Sequence, residues 1–235
     1  MAGREEMLER VRKALDRSGP ELRPPVEFPP LGSVMPPIDP DDLVPKFELE
    51  FRNVAGSPHR VANRQELDGL FRLILKGSPP VVLSRNPMLA QLGLESMFRA
   101  WGLEVATWPS PEPGETDVRD GFRRCSFQAE FGITGVDFAL AETGSLIVSS
   151  RTEGSQLTSL APPVHVALYR RNQVVGSLEE VLERTAPARF DDPGRSIVFI
   201  TGTSRTADIE QILIRGVHGP REVWAILVED SCLAE

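Results

Sequence analysis

Between residues 57 and 107 the chain repeatedly sets a short apolar run beside an amphipathic helical pattern, and this alternation narrows its possible folds most. "PHRVA" has the composition of a short strand. "NRQELDGLFRLILKG" places Asn63 where an N-cap belongs, Glu66 three residues later and a glycine at the end, the signature of a capped helix. "PPVVLSR" reads as a buried strand. Asn86 and Pro87 then open a helix that runs to Trp101 and closes at Gly102, and "LEVATW" is the next strand. Strands joined through helices run parallel, so the expected class is α/β: a Rossmann-like parallel sheet with flanking helices. In such sheets functional residues gather at the C-terminal ends of strands.

On either side the pattern is less regular. Leu43, Phe47, Phe51 and Val54 fit a helix ended by Gly56, although Phe47, Leu49 and Phe51 also fit a strand. Residues 109 to 120, "PSPEPGETDVRD", read as an exposed loop. Beyond them come a hairpin around Glu142, a strand "PVHVALY", a helix "SLEEVLERT", a strand "SIVFI", a helix from about Ala207 to Arg215, and a final strand "EVWAILVE". At the N-terminus Met7, Leu8, Val11, Ala14 and Leu15 recur at helical spacing up to the Gly19-Pro20 stop. Nine prolines between Pro20 and Pro45 deny the next segment a sheet interior, so it reads as an extended connector that wraps the surface or reaches a partner. The expected organisation is an amphipathic helix at 1–19, a proline-rich linker at 20–42 and an α/β domain at 43–235.

Composition excludes several functions. A net charge of −8 without a basic cluster argues against nucleic acid as a partner. No apolar run approaches the roughly 20 residues of a membrane span, and the charged N-terminus lacks a signal peptide's apolar stretch, so a cytoplasmic protein is expected. Cys125 and Cys232 lie too far apart in sequence to form a CxxC metal site, and no metal is expected. Lys13, Lys46 and Lys76 all fall on predicted helix faces or ends, which disfavours Schiff-base chemistry. The GxGxxG, P-loop, GxSxG, HExxH and EF-hand signatures are absent from the sequence.

Two stretches remain as carriers of chemistry. In "SIVFITGTSRTADIEQILIRGVHGP" a buried strand runs into Gly202, and Thr203, Ser204, Arg205 and Thr206 form a hydroxyl-rich loop before the predicted helix, with Asp208 in its first turn. Amides at a helix start, hydroxyls and a guanidinium suit a carboxylate or phosphate, although the same residues would also serve as an ordinary cap. "VHGP" then presents His218 in a tight turn. In "FGITGVDFALAETGSLIVSS" a hairpin puts Glu142 at its tip or shoulder, beside Thr143, Gly144 and Ser145. Apolar neighbours there would desolvate the carboxylate and suit it to acid–base or nucleophilic work; the plain alternative is a solvated turn residue. Asp137 and Thr134 precede the hairpin as groups that could orient or cap. His165, alone in an apolar strand, is more often a satisfied core residue than a catalyst.

"GITGVDFALAETGSLIV" followed by "GTSRTADIEQILIRGVHGP" resembles the paired signatures of the lactate-utilisation protein C family, whose module is the LUD domain, across residues 43 to 230. The resemblance implies a fold shared with NagB, RpiA and CoA transferases, in which a small β element is added to the Rossmann-like layer. It also implies a part in bacterial oxidation of lactate to pyruvate beside two partner proteins that carry iron–sulfur clusters. The chain itself would hold no cofactor and would bind substrate or assemble the complex. Glu142-Thr143-Gly144 is similar to the Glu-Asn-Gly turn of some CoA transferases, with threonine replacing asparagine. A lactate carboxylate would suit Ser204, Arg205 and Thr206, with Glu142 or His218 taking the hydroxyl proton. The alternatives are a free-standing phosphosugar isomerase-like or acyl-CoA transferase-like enzyme, or a scaffold that senses a metabolite. A homodimer is also expected as an option.

Overall fold

Six strands hydrogen-bond in parallel to form the central sheet of the computed structural model, which describes residues 3–15, 36–77, 79–109, 116–190, 196–207 and 213–233. The chain divides into two units, 1–37 and 38–235. The first contains helix α1 (Arg4–Leu15), with Glu5 and Glu6 in its first turn and Arg12 and Lys13 in its last, which complements the helix dipole.

In the second unit the elements follow as α2 (Leu43–Asn53), β1 (Ser57–Val61), α3 (Arg64–Ile74), β2 (Val81–Leu83), α4 (Pro87–Gln91), α5 (Leu94–Ala100), β3 (Val105–Thr107) and α6 (Thr116–Gln128). Then come β4 (Phe131–Thr134), β5 (Phe138–Leu140), β6 (Ser145–Ser149), α7 (Ser150–Glu153), α8 (Leu157–Leu160) and β7 (Val164–Tyr169). The last are β8 (Val174–Val175), α9 (Leu178–Phe190), β9 (Ile197–Ile200), β10 (Arg205–Ala207), β11 (Leu213–Arg215) and β12 (Glu222–Val228). The parallel sheet has the order β1-β12-β7-β4-β2-β3, and a smaller sheet has the order β8-β5-β6-β9.

Alternation along the strands divides the core between the two faces of the large sheet. Val81, Leu83, Val166, Leu168 and Ile226 face one side, where Leu67, Phe71, Leu89 and Phe98 of α3 to α5 cover them. Ala167, Tyr169, Ala225 and Leu227 face the other, against Phe47 and Phe51 of α2 and Ala139, Leu146 and Val148 of the small sheet. On that second face Val82 meets Phe122 of α6. The added β element is therefore a layer over the Rossmann-like sheet, as expected.

Three details of the sequence reading need correction. The helix expected from Asn86 to Trp101 is two helices, α4 and α5, broken at Leu92-Gly93. The supposed loop of 109–120 already contains the start of α6 at Thr116. The helix expected over 207–215 is bounded instead by two paired antiparallel strands, with Arg205 opposite Arg215 and Ala207 opposite Leu213. β-Branched Thr206 and Ile214 stand opposite each other in this pair, a setting that such residues favour. Asp208 lies outside the described residues. The helix was expected to begin at about Ala207, which lies in β10, and to end at Arg215, which lies in β11.

Candidate functional site

The order of the large sheet contains one point of reversal. From β2 the chain proceeds to β3, at the near edge, whereas from β4 it proceeds to β7 on the opposite side. Between two such neighbours the loops leaving the C-terminal ends part from one another and leave a crevice, the usual ligand position in open parallel sheets. Here those loops are Ser84–Asn86 after β2 and Gly135–Asp137 after β4.

Glu153, at the end of the short helix that follows β6, joins the two loops. Its Oε2 accepts from Ser84 Oγ at 2.5 Å and from the Gly135 backbone N–H at 2.9 Å. Its Oε1 accepts from Asn86 Nδ2 at 2.5 Å. Asn86 Oδ1 accepts the Met88 N–H and so also caps α4. The approach is close enough to exclude a side chain at Gly135, where a Cβ would stand 2.2 Å from Asn86 Nδ2. Glu153 is 1% exposed and Asn86 7%. Burial pushes the Glu153 carboxyl above the ordinary carboxylate range; its three hydrogen bonds oppose the shift and the charge of Asp137 adds to it.

Beside this buried group the loops carry polar side chains that are less buried. Asp137 is half-buried and its Oδ2 accepts the Ser149 N–H at 2.7 Å and the Thr152 hydroxyl at 3.2 Å. Arg85 is half-buried as well, and its Nη2 donates to the carbonyl oxygens of Arg151 at 2.9 Å and Ser150 at 3.4 Å. Trp108, after β3, lies against Gly154 and meets Phe122 edge-on at 5.0 Å, forming an aromatic wall. The crevice thus offers a guanidinium, a carboxylate acceptor and a deeper carboxyl within one group of loops. That set can hold a small anion and exchange a proton.

The residues expected from sequence do not all gather here. Asp137 does. Thr134, just before Gly135, turns its hydroxyl inward to His165 Nε2 at 2.8 Å. His165 is fully buried, burial pushes its imidazole down to about 3, and it lies in the core as the plain reading held. Glu142, Thr143, Gly144 and Ser145 sit at the other end of the hairpin, separated from Asp137 by β5 and about 15 Å of extended chain. Glu142 is half-buried and its Oε2 accepts the Leu178 N–H at 3.1 Å, so it caps the start of α9. Thr143, Ser145 and Thr201 form a chain of hydroxyls with both links at 2.7 Å.

That chain joins the two sequence motifs through the pairing of β6 with β9. Gly144, at φ 63°, fits against α2, where a Cβ would stand 2.3 Å from the Phe51 nitrogen. Gly202 and buried Thr203 follow, with Gly202 against Val54. Ser204 bonds through its backbone to Pro220 and Gly216, which brings it to the turn that carries exposed His218. Arg205 and Thr206 lie in β10. The sequence reading missed Glu153, Arg85, Ser84 and Asn86. Asn86 was recognised only as a cap, and the strand-end rule was the one signal that pointed to it. Among the described residues no three His, Cys, Asp or Glu side chains converge as a metal site requires.

A parallel sheet with a second, mixed sheet of four strands packed on it defines an α/β protein of the Rossmann-like type. The LUD domain matches residues 44–228, and the chain belongs to that family. A Deinococcus radiodurans protein named Lactate utilization protein C is 27% identical over 225 residues, covering 95% of this chain and 94% of its own. Its namesake from Geobacillus kaustophilus is 28% identical over 240 residues, covering 97% and 96%. The crystal structure of a DUF162 family protein from Deinococcus radiodurans superposes with a TM-score of 0.60 at 23% identity, over 82% of this chain and 99% of that one, and shares the fold. No helix among the described residues is long and apolar enough to cross a membrane.

Proposed function

We propose that the chain works in lactate utilisation as a subunit that binds the substrate and carries no redox group of its own. The crevice between β2 and β4 takes the substrate's carboxylate against Arg85. Asp137 then accepts the proton of the substrate hydroxyl, while the Cα–H hydrogen leaves with its electron pair, as a hydride equivalent, for an acceptor held by the iron–sulfur partner proteins. The observation that supports this reading is the placement of half-buried Arg85 and Asp137 on the two loops that leave β2 and β4 at the switch point of the sheet. The names of the family relatives supply the pathway. The chain has two cysteines, Cys125 on α6 and Cys232 after β12, fewer than the four thiolates a cluster usually takes, which supports assigning the clusters to partners.

The test is lactate-dependent dye reduction by tagged protein captured from its native cells, compared with the same chain purified alone. Activity confined to the captured sample, alongside iron–sulfur proteins, is the expected result. Equal activity in the isolated chain overturns the subunit reading, and no activity in either overturns the lactate reading.

A further inference from the structure

We propose that the turn at 149–154, "SSRTEG", is the positioning element of the crevice, and that Glu153 within it is a positioning residue that aims the Arg85 guanidinium at the substrate's carboxylate. The inference rests on the proposed role of Arg85 and names what holds that residue in place. Arg85 and Asp137 lie on separate loops, and each is bonded to this one turn. Asp137 Oδ2 accepts its Ser149 N–H at 2.7 Å and its Thr152 hydroxyl at 3.2 Å. Arg85 Nη2 donates to its Ser150 and Arg151 carbonyl oxygens at 3.4 and 2.9 Å.

Glu153 bonds to three consecutive residues of the loop after β2. Its carboxyl oxygens accept from Ser84 Oγ and Asn86 Nδ2, each at 2.5 Å, and its backbone carbonyl accepts the Arg85 N–H at 3.2 Å. Arg85 is thus fixed through its own backbone and through both neighbours, while its guanidinium closes over the same turn. On the other side Gly154, at φ 84°, lies against Trp108, where a Cβ would stand 2.1 Å from the indole Cδ1. The Trp108 N–H in turn donates to the Leu83 carbonyl at 2.8 Å, so the turn is held between the loops that follow β2 and β3.

A carboxyl suits position 153 where an amide does not. Asn86 cannot reverse its own amide, because its Oδ1 accepts the Met88 N–H, and the Gly135 N–H faces the other carboxyl oxygen at 2.9 Å. A glutamine at 153 would set its NH₂ against one of these two donors. Glu153→Gln therefore keeps the size of the side chain, breaks the tie and loosens the loop that carries Arg85. A guanidinium already held in place loses less freedom when a ligand arrives, so its release weakens substrate binding.

The direct test is a ¹H–¹⁵N spectrum of the arginine guanidinium groups in the isolated full chain, for wild type, Glu153→Gln and Thr152→Val, with the Arg85 signals identified by their loss in Arg85→Lys. A guanidinium held against carbonyl oxygens rotates slowly and gives separate Nη signals, whereas a free one gives merged signals. The account predicts separate Arg85 signals in wild type and in Thr152→Val, which removes a tie to Asp137 and none to Arg85, and merged signals in Glu153→Gln. In the captured complex, Glu153→Gln should raise KM for lactate about 10-fold, with a smaller change in kcat. If Glu153→Gln does not fold, Ser84→Ala, which removes one of the three loop bonds, must broaden the same signals. Merged Arg85 signals in wild type, unchanged signals in Glu153→Gln, or an unchanged KM in that variant overturn the proposal. The spectrum involves no lactate, so signals that merge in Glu153→Gln beside a wild-type complex without lactate oxidation condemn the functional reading and leave the hold of Glu153 on Arg85 standing.

Discussion

Gly135 and Glu153 show how single positions hold the crevice together. A methyl group at Gly135 would strike the Asn86 amide that Glu153 requires, so Gly135→Ala should lower stability by about 2 kcal/mol or more, measurable by urea unfolding. His165 provides a second check. It stays neutral in the fold down to about 3, while in the unfolded chain it takes up a proton near 6.5. Below 6.5 the unfolded state therefore binds a proton that the folded state refuses. Stability should fall by up to about 1.4 kcal/mol per pH unit as pH drops toward 3, and His165→Gln should flatten that part of the profile. Glu153 acts in the opposite sense: with its folded value raised, its contribution is present at low pH and is lost as pH rises through that value. Its importance was not legible in "SSRTEGSQL", because its partners Ser84 and Asn86 stand 69 and 67 residues away. A glutamate in a polar run carries no local sign that distant loops will bury it.

At the scale of elements, legibility followed the strength of local signals. The Asn63 cap of α3 was readable and is made, with its side chain accepting the Glu66 N–H at 2.9 Å. Asn63→Ala should cost about 1 kcal/mol in thermal or chemical unfolding. The hairpin of β5 and β6 was legible from two apolar runs around a glycine, and its register pairs Phe138 with Ile147. The ambiguity at Phe47 and Phe51 resolves as helix, and both rings are fully buried and stacked at 5.4 Å. Phe51 supports the backbone against which Gly144 turns, so Phe51→Ala should cost about 3–5 kcal/mol and loosen the hairpin tip, detectable as faster amide exchange there. The start of α6 was hidden because prolines and a glycine just before Thr116 carry loop chemistry into it. The segment around β10 and β11 was misread because a charged, periodic stretch can suit either backbone until its pairing is known.

For the whole molecule, the class and the added β layer could be read from alternation and from the family resemblance. The strand order could not, since no local pattern states that β4 lies between β7 and β2. That order creates the switch point and moves the most promising site from the hairpin tip to the crevice. Residues 38–235 form a unit in which the LUD domain is contained. A chain lacking residues 1–37 should therefore keep a single cooperative melt, within a few degrees of the full chain by calorimetry.

The central claim is that anion binding occurs at Arg85 and Asp137 rather than at the hairpin tip. The decisive measurement is kcat/KM for lactate in the captured complex carrying Arg85→Ala, with Glu142→Gln prepared in parallel and both melts matched to wild type. Loss of a charge-assisted contact predicts a drop of about 10- to 100-fold in Arg85→Ala and little change in Glu142→Gln. Full activity in Arg85→Ala with loss in Glu142→Gln would contradict the account and return the chemistry to the hairpin tip.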